Sequence, residues 1–326
     1  MANIQQNNTN STPLLDTLAQ LRKVPLVNDK QKLLRKARSK YFTVKLALPL
    51  ADLKNAREKY YRNAYYCSHV ITQENNKLTA RYCNTRVCNI CNRIRTAKLI
   101  NGYGVQLRNI DSYFVTLTIP NVTDNELSNT LERMIKAFRT IQDRLRKNKV
   151  KLKGIRKLEI TYNSVTDTYH PHYHIIIDGQ QQAEILKTEW LKAFTEAQSW
   201  CQDIRKADES SVVELFKYVT KVVTKTKGQI NLYVSAIDTI IEALYKRRAI
   251  QPFGDIKMVT EDVTELNSEL YEGISEYDFI EWVYTPEIYD WTNKYGEILT
   301  GYKPTEMFEK VNIVRKTKNG SELQRK

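Results

Sequence analysis

The chain has no apolar run approaching the roughly 20 residues a bilayer-spanning helix needs. Its first residues, MANIQQNNTNSTP, lack the apolar core of a secretory signal. Residues 1–28 therefore read as a flexible polar leader, and a cytoplasmic protein without membrane association is expected. Histidine is scarce, four in 326 residues, and cysteine nearly so, with five. Basic residues all but vanish between Asp255 and Asp290, where eleven acidic residues face Lys257 alone. That local balance of −10 within an overall +14 leaves +24 on the remainder. A surplus of this size points to a polyanionic partner, nucleic acid before any other.

The few cysteines are not scattered. Cys67, Cys83, Cys88 and Cys91 form C-x15-C-x4-C-x2-C, with His69 beside the first. In a cytosolic chain such a cluster binds metal more readily than it forms disulfides, and the closing C-x-x-C suits structural Zn²⁺. Cys83, Cys88 and Cys91 are three ligands; either Cys67 or His69 is the fourth. Cys201, alone, reads as a buried structural thiol.

The histidines are clustered too. In TYHPHYHIIID, residues 168–178, His170, His172 and His174 occupy alternate positions. On a strand, residues two apart share a face, so His172 and His174 project together and Tyr173 turns away. IRKLEITY (155–162) reads as a preceding strand, joined through the turn-forming NSVTDT, which sets Glu159 almost opposite the pair. Two imidazoles and a carboxylate suit Mn²⁺ or Mg²⁺. Pro171 at the start of the strand leaves His170 as an outer-sphere or DNA-contacting candidate.

Around these motifs the pattern is α+β. Residues 29–64 read as basic helices whose Tyr60, Tyr61, Tyr65 and Tyr66 are core at helical spacing or stacking groups for bases. DSYFVTLTIPNV predicts a half-buried strand over 114–119. Leu127, Leu131, Met134, Ile135, Phe138, Ile141 and Leu145 share one face of a helix over 124–148, with Asp124 as its cap and a basic opposite face. A helix over 181–200, a short strand in CQDIRKA, and a serine-capped helix in SSVVELFKYVTKVVTK follow. In the last, Glu214 and Tyr218 stand at i, i+4 on one face, with Lys221 a turn further. A tyrosine hydroxyl can attack phosphorus, a lysine can lower its pKa, and a glutamate can serve as general base.

Three motifs in this order carry a resemblance: FVTLTIPN (114–121), HPHYHIII (170–177) and ELFKYVTK (214–221). With them the chain resembles the rolling-circle plasmid replication initiators of the HUH endonuclease superfamily, in the class with a single catalytic tyrosine and a partner glutamate. The resemblance implies an antiparallel, RRM/ferredoxin-like sheet covered by helices. It implies metal ligation by His172 and His174 with Glu159 as third ligand, and Tyr218 as the nucleophile that retains the 5′ phosphate and leaves a 3′ hydroxyl. Glu214 matches the carboxylate that activates water at termination, and Lys221 the lysine that assists the tyrosine. The partners implied are single-stranded or hairpin origin DNA and, through the 3′ hydroxyl, host DNA polymerase and helicase, in a bacterial cytoplasm. Related initiators also carry a C-x-x-C followed by basic residues, matched by CNICNRIRTAK, though many have proline where this chain has Asn89 and Ile90.

The organisation expected is a leader (1–28), a helical and zinc-binding region (29–100), a nicking domain (101–228), an acidic, aromatic accessory module (229–314) and a disordered basic tail (315–326). Two alternatives stand beside it. A transposase or mobilisation relaxase would share the chemistry. A non-catalytic zinc-containing DNA-binding protein would have no use for both the histidine pair and the Glu214/Tyr218/Lys221 face.

Overall fold

In the computed structural model, residues 29–108, 110–216, 224–226, 229–264, 266–270, 278–305, 310–316 and 322–325 are described. The expected leader, Tyr218 and Lys221 lie outside these residues. Helices α1 (Asp29–Ala51) and α2 (Glu58–Tyr66) lead into a hairpin of β1 (Val70–Glu74) and β2 (Lys77–Arg81). Helix α3 (Asn89–Gln106) then runs to β3 (Ser112–Thr118), α4 (Asp124–Lys147), β4 (Gly154–Asn163) and β5 (Thr168–Asp178). After α5 (Gln180–Ala193), a 3₁₀ turn at Ser199–Cys201 enters β6 (Asp203–Lys206), followed by α6 (Glu209–Phe216). The rest comprises β7 (Thr224–Thr226), β8 (Gln229–Tyr233), α7 (Val234–Ala243), β9 (Ile250–Phe253), β10 (Leu266–Leu270), β11 (Ile280–Thr285), β12 (Asp290–Thr292), β13 (Val311–Lys316) and β14 (Glu322–Arg325).

The expected α+β architecture of antiparallel strands flanked by helices is present. The central sheet has order β6-β3-β5-β4-β9, antiparallel throughout. Strand periodicity sends Val115, Leu117, Leu158, Tyr173, Ile175 and Ile177 into one core with Leu131, Met134 and Phe138 of α4, Trp190 of α5 and Ile240 of α7. The opposite face packs Phe114, Ile155 and Ile176 against Leu99 and Tyr103 of α3 and Val212 and Leu215 of α6. Helices thus cover both faces, so the strand expected to be half-buried is covered on either side. In β5 the run Ile175–Ile177 is continuously apolar for the same reason.

Several local expectations are corrected. Thr123, not Asp124, caps α4: Glu126 accepts from the Thr123 backbone N–H (2.9 Å) and hydroxyl (2.7 Å), which leaves Asp124 as the first helical residue. Asp208, not a serine, caps α6, accepting from the Ser211 N–H (2.8 Å) and from the hydroxyls of Ser210 and Ser211. The strand at Thr224–Thr226 also excludes a helix running to residue 225. Helix α5 stops at Ala193 because Phe194 leaves helical geometry to pack on Trp190, ring centroids 4.3 Å apart. The chain beyond then emerges onto the surface, and Cys201, expected buried, is exposed.

The acidic segment and the tail are strand-forming. β10 pairs with β2, and β11 with β1, Val70 opposite Val283, giving a five-stranded sheet drawn from both ends of the chain. Its core joins Ile71 and Leu78 to Trp282 and Trp291. Of the tail expected to be disordered, Arg315 and Lys316 end β13 and Glu322–Arg325 form β14; β13 runs parallel to β8, with Ile313 opposite Leu232. β9, from the segment assigned to the accessory module, extends the central sheet instead, pairing with β4.

Gly154 opens β4 where β9 and β5 crowd in. A β-carbon there would meet the Ile176 carbonyl oxygen at 2.3 Å and the Phe253 ring at 2.6 Å. Gly154→Ala is expected to lower unfolding free energy by about 1–3 kcal/mol through overpacking, read from the midpoint of a denaturant titration.

Candidate metal centres and active site

The β4–β5 register places Glu159 directly opposite His172 and Lys157 directly opposite His174. On the other side of β5, Thr118 and Thr116 face the same two histidines. All six side chains therefore share the sheet face covered by α3 and α6. Tyr173 turns to the apolar core, fully buried.

Two second partners orient the imidazoles. His172 Nδ1 lies 3.1 Å from the His170 carbonyl oxygen, an acceptor, so Nδ1 carries the proton and Nε2 keeps its lone pair. His174 Nδ1 lies 3.3 Å from the Thr116 hydroxyl. The two Nε2 atoms converge to 3.1 Å, and Glu159 Oε2 lies 3.6 Å from His174 Nε2. Two nitrogens bound to one divalent ion at ordinary lengths stand about 3.0–3.4 Å apart, so the spacing fits a shared cation. Burial, then the neighbouring His174, pushes the His172 pKa down to about 4, which keeps it a neutral donor at physiological pH. One donor atom each from Glu159, His172 and His174 falls within 4.8 Å of the others.

His170 keeps the strand's parity, opposite Thr161, despite Pro171. It is not one of the convergent donors. Its ring stacks on His172 at 5.2 Å and contacts Asn121 Oδ1 at 2.9 Å, while its carbonyl orients His172.

Sequence reasoning missed Lys157. Its ammonium is fully buried, 2.6 Å from Glu159 Oε2, and donates to the Glu214 carbonyl oxygen at 3.0 Å. The same cation thus touches the Glu159 carboxylate and the main chain of α6. The signal was available: Lys157 stands two residues before Glu159 on one strand, hence on the same face. Thr96 of α3 secures α6 a second time, its hydroxyl donating to the Phe216 carbonyl oxygen (2.9 Å). Glu214 itself is half-buried.

A second donor group lies in the other sheet's core. Cys67 precedes β1, Cys83 follows β2, Cys88 caps α3 and Cys91 sits in its first turn. Their sulfurs lie within 4.8 Å of one another, with Cys67–Cys91 at 3.6 Å and Cys83–Cys91 at 3.7 Å. Four thiolates around a tetrahedral ion with ordinary Zn–S bonds stand about 3.8 Å apart. The group includes Cys67 and not His69, whose ring lies among Tyr65, Tyr66 and Tyr284.

Charge balance also favours an ionised cluster. Lys40 is fully buried, donating to the carbonyls of Tyr65 (2.6 Å) and Cys67 (2.7 Å) and lying 4.9 Å from the Tyr284 ring centre. Burial pushes its pKa down to about 8, and the thiols of Cys67, Cys88 and Cys83 act in the opposite sense. Four thiolates on one divalent cation carry −2, a counter-charge for this buried ammonium. The thiols do not shift together: hydrogen bonds, that with Cys67 foremost, hold Cys83 and Cys91 below the usual thiol value, whereas the hydrogen bond with Cys83 pushes Cys67 up and burial pushes Cys88 up. It is therefore the geometry and the Lys40 charge that favour a bound cation. The purified protein is expected to carry one tightly held equivalent of a thiophilic divalent metal. Cys91→Ala should lose that equivalent in elemental analysis and lower the thermal midpoint by several degrees.

Comparison with known proteins identifies the family. Residues 75–297 match the family described as Replication protein. A Protein rep of Staphylococcus aureus is 32% identical over 171 residues, 46% of this chain and 74% of the relative. A Protein rep of a Bacillus species is 28% identical over 260 residues, 67% and 82% of the two chains. One of Bacillus amyloliquefaciens is 24% identical over 196 residues, 56% and 53%. No solved structure gives a significant match. No helix among the described residues is long and apolar enough to cross a membrane. With the family match spanning more than half of its length, the chain belongs to the replication protein family, the plasmid rolling-circle initiators that its three motifs resemble.

Proposed function

We propose that this initiator nicks single-stranded or extruded origin DNA through Tyr218 and rejoins strands when a round of replication ends. Family membership supports nicking in general; the residue roles are assigned on chemical grounds. The observation that carries the reading is the convergence of Glu159, His172 and His174 on one point beside the helix that carries Glu214.

When bound there, Mn²⁺ or Mg²⁺ supplies a Lewis acid that neutralises charge on a phosphodiester. His172 offers a neutral lone pair and His174 a second ring nitrogen, and Glu159 offers the charge that makes the site selective for a cation. Lys157 holds that carboxylate and the α6 main chain together, limiting motion between donors and helix. Tyr218, four residues past Glu214, is assigned the attack on phosphorus: its Oη–P bond forms as the P–O3′ bond breaks. The phenolic proton leaves the tyrosine, and the departing oxygen becomes a 3′ hydroxyl from which host polymerase extends. A phenol of ordinary pKa about 10 needs a cation to ionise near neutrality, the role given to Lys221. Glu214 is assigned the proton of a second nucleophile at termination.

Structural Zn²⁺ is the metal proposed for the four-cysteine group, and the basic surplus outside 255–290 is assigned to holding DNA.

The test is a labelled single-stranded origin oligonucleotide incubated with protein and Mn²⁺, then run on a denaturing gel. A covalent adduct is expected, absent with chelator and at least about a hundredfold reduced in Tyr218→Phe. An undiminished adduct in that variant would move the nucleophile to another tyrosine. Glu214→Ala should nick near the parental rate yet accumulate adduct, because release is slowed.

A further inference from the structure

Three of the four tryptophans are core residues: Trp190 and Trp291 are fully buried and Trp282 is 2% exposed. Trp200 is 83% exposed. A single exposed aromatic is ordinary, so its setting matters. It sits in the 3₁₀ turn Ser199–Cys201, which is locked in place. The Cys201 N–H donates to the Gln198 carbonyl (3.1 Å), and the Gln202 N–H donates to that of Ser199 (3.2 Å). The buried Gln202 side chain accepts from the Thr118 N–H at 2.7 Å and donates to the Gln198 carbonyl at 2.8 Å. Thr118 is the last residue of β3 and lies directly opposite His172.

The turn therefore presents an indole at the level of the histidine pair, from a strand two places away, or about 10 Å across the sheet. β6 is an edge strand of the central sheet. Along it, Asp203 and Arg205 pair opposite Thr116 and Phe114, the parity of the metal-site face. The Arg205 guanidinium lies 4.5 Å from the Phe114 ring centre, and that ring stacks on His174 at 5.3 Å. A guanidinium, ion-paired with Asp203 at 3.0 Å, and an exposed flat ring thus share the edge of the sheet that carries the convergent donors.

We infer that Trp200 is a base-stacking subsite for single-stranded DNA, receiving an unpaired base of the strand whose phosphodiester reaches the Glu159/His172/His174 group. The rigid turn supplies the platform without an ordering cost, and stacking accepts any base, while cation and metal donors address the backbone. This rests on the reading that this face takes up single-stranded DNA.

The experiment is a titration of the full-length protein with oligo(dT) in chelator, following tryptophan emission, acrylamide quenching and, independently, anisotropy of a labelled oligonucleotide. With the other three indoles buried, changes in quencher access report Trp200. Emission should fall and acrylamide access should drop as oligonucleotide saturates. Trp200→Ala should bind at least about fivefold more weakly with an unchanged thermal midpoint, and Trp200→Phe should fall between it and the parent. Equal affinity of all three proteins, unchanged quencher access at saturation, or equal protection by duplex of the same length would each overturn the subsite. The titration needs no metal and no tyrosine chemistry. An intact Trp200 signal without any Tyr218 adduct would sink the nicking reading alone, and the converse would sink the subsite alone.

Discussion

The register between β4 and β5 is the constraint from which the site follows. It sets Glu159 against His172 and Lys157 against His174, and it does so for reasons unrelated to chemistry. Leu158, Ile160, Tyr173, Ile175 and Ile177 must all enter the core beneath α4 and α5. A slip of one residue would bring the ionisable side chains into that core and expel the apolar ones. Burying each of those large side chains is worth roughly 1.5–3 kcal/mol, so the register is held by a sum far larger than any single contact in the site. The donors converge because the hydrophobic face is satisfied behind them.

Holding a charged group on a sheet covered from both sides carries a cost. Lys157 and Glu159 are fully buried, and desolvating such a pair cancels much of its Coulombic attraction. An apolar pair of similar volume would serve stability as well. What the pair does accomplish is geometric: the ammonium bonds the carboxylate and the Glu214 carbonyl at once, tying sheet to helix. Local departures from the best-packed solution belong at functional positions, and this departure lies among the convergent donors.

Parity alone made much of this legible. Alternation identified the hairpin, the pairing of His172 with His174 and the opposing Glu159, because strand geometry has a period of two and the turn was short. The four cysteines were legible by spacing, but the choice between Cys67 and His69 was not, since it depends on which side chain the β1–β2 hairpin turns inward. Cap residues failed by one or two positions, Thr123 for Asp124 and Asp208 for a serine, because side-chain donors compete within a turn. Least legible were pairings across sequence. Nothing near Val70 announces Val283, and acidic composition between 255 and 290 concealed strands that complete the N-terminal sheet. The same holds for β13, whose partner β8 is about eighty residues earlier.

Helix α3 connects the two donor groups. Cys88 and Cys91 anchor its first turn among the sulfurs, while Leu99 and Tyr103, further along, pack on the central sheet beside Phe114 and Ile176. Between them, Thr96 bonds the Phe216 carbonyl of α6. An 18-residue helix is about 27 Å long and stiff over that length, so an orientation fixed at one end is felt at the other. A four-sulfur centre can fix it more tightly than a short hairpin could by packing alone, because it draws donors from before β1, after β2 and the head of α3 at once. The cysteine cluster, about 80 to 107 residues from the histidines in sequence, is thereby built into the wall of their site: it sets the line of α3, α3 holds α6, and α6 carries Glu214 above the sheet face where the imidazoles meet.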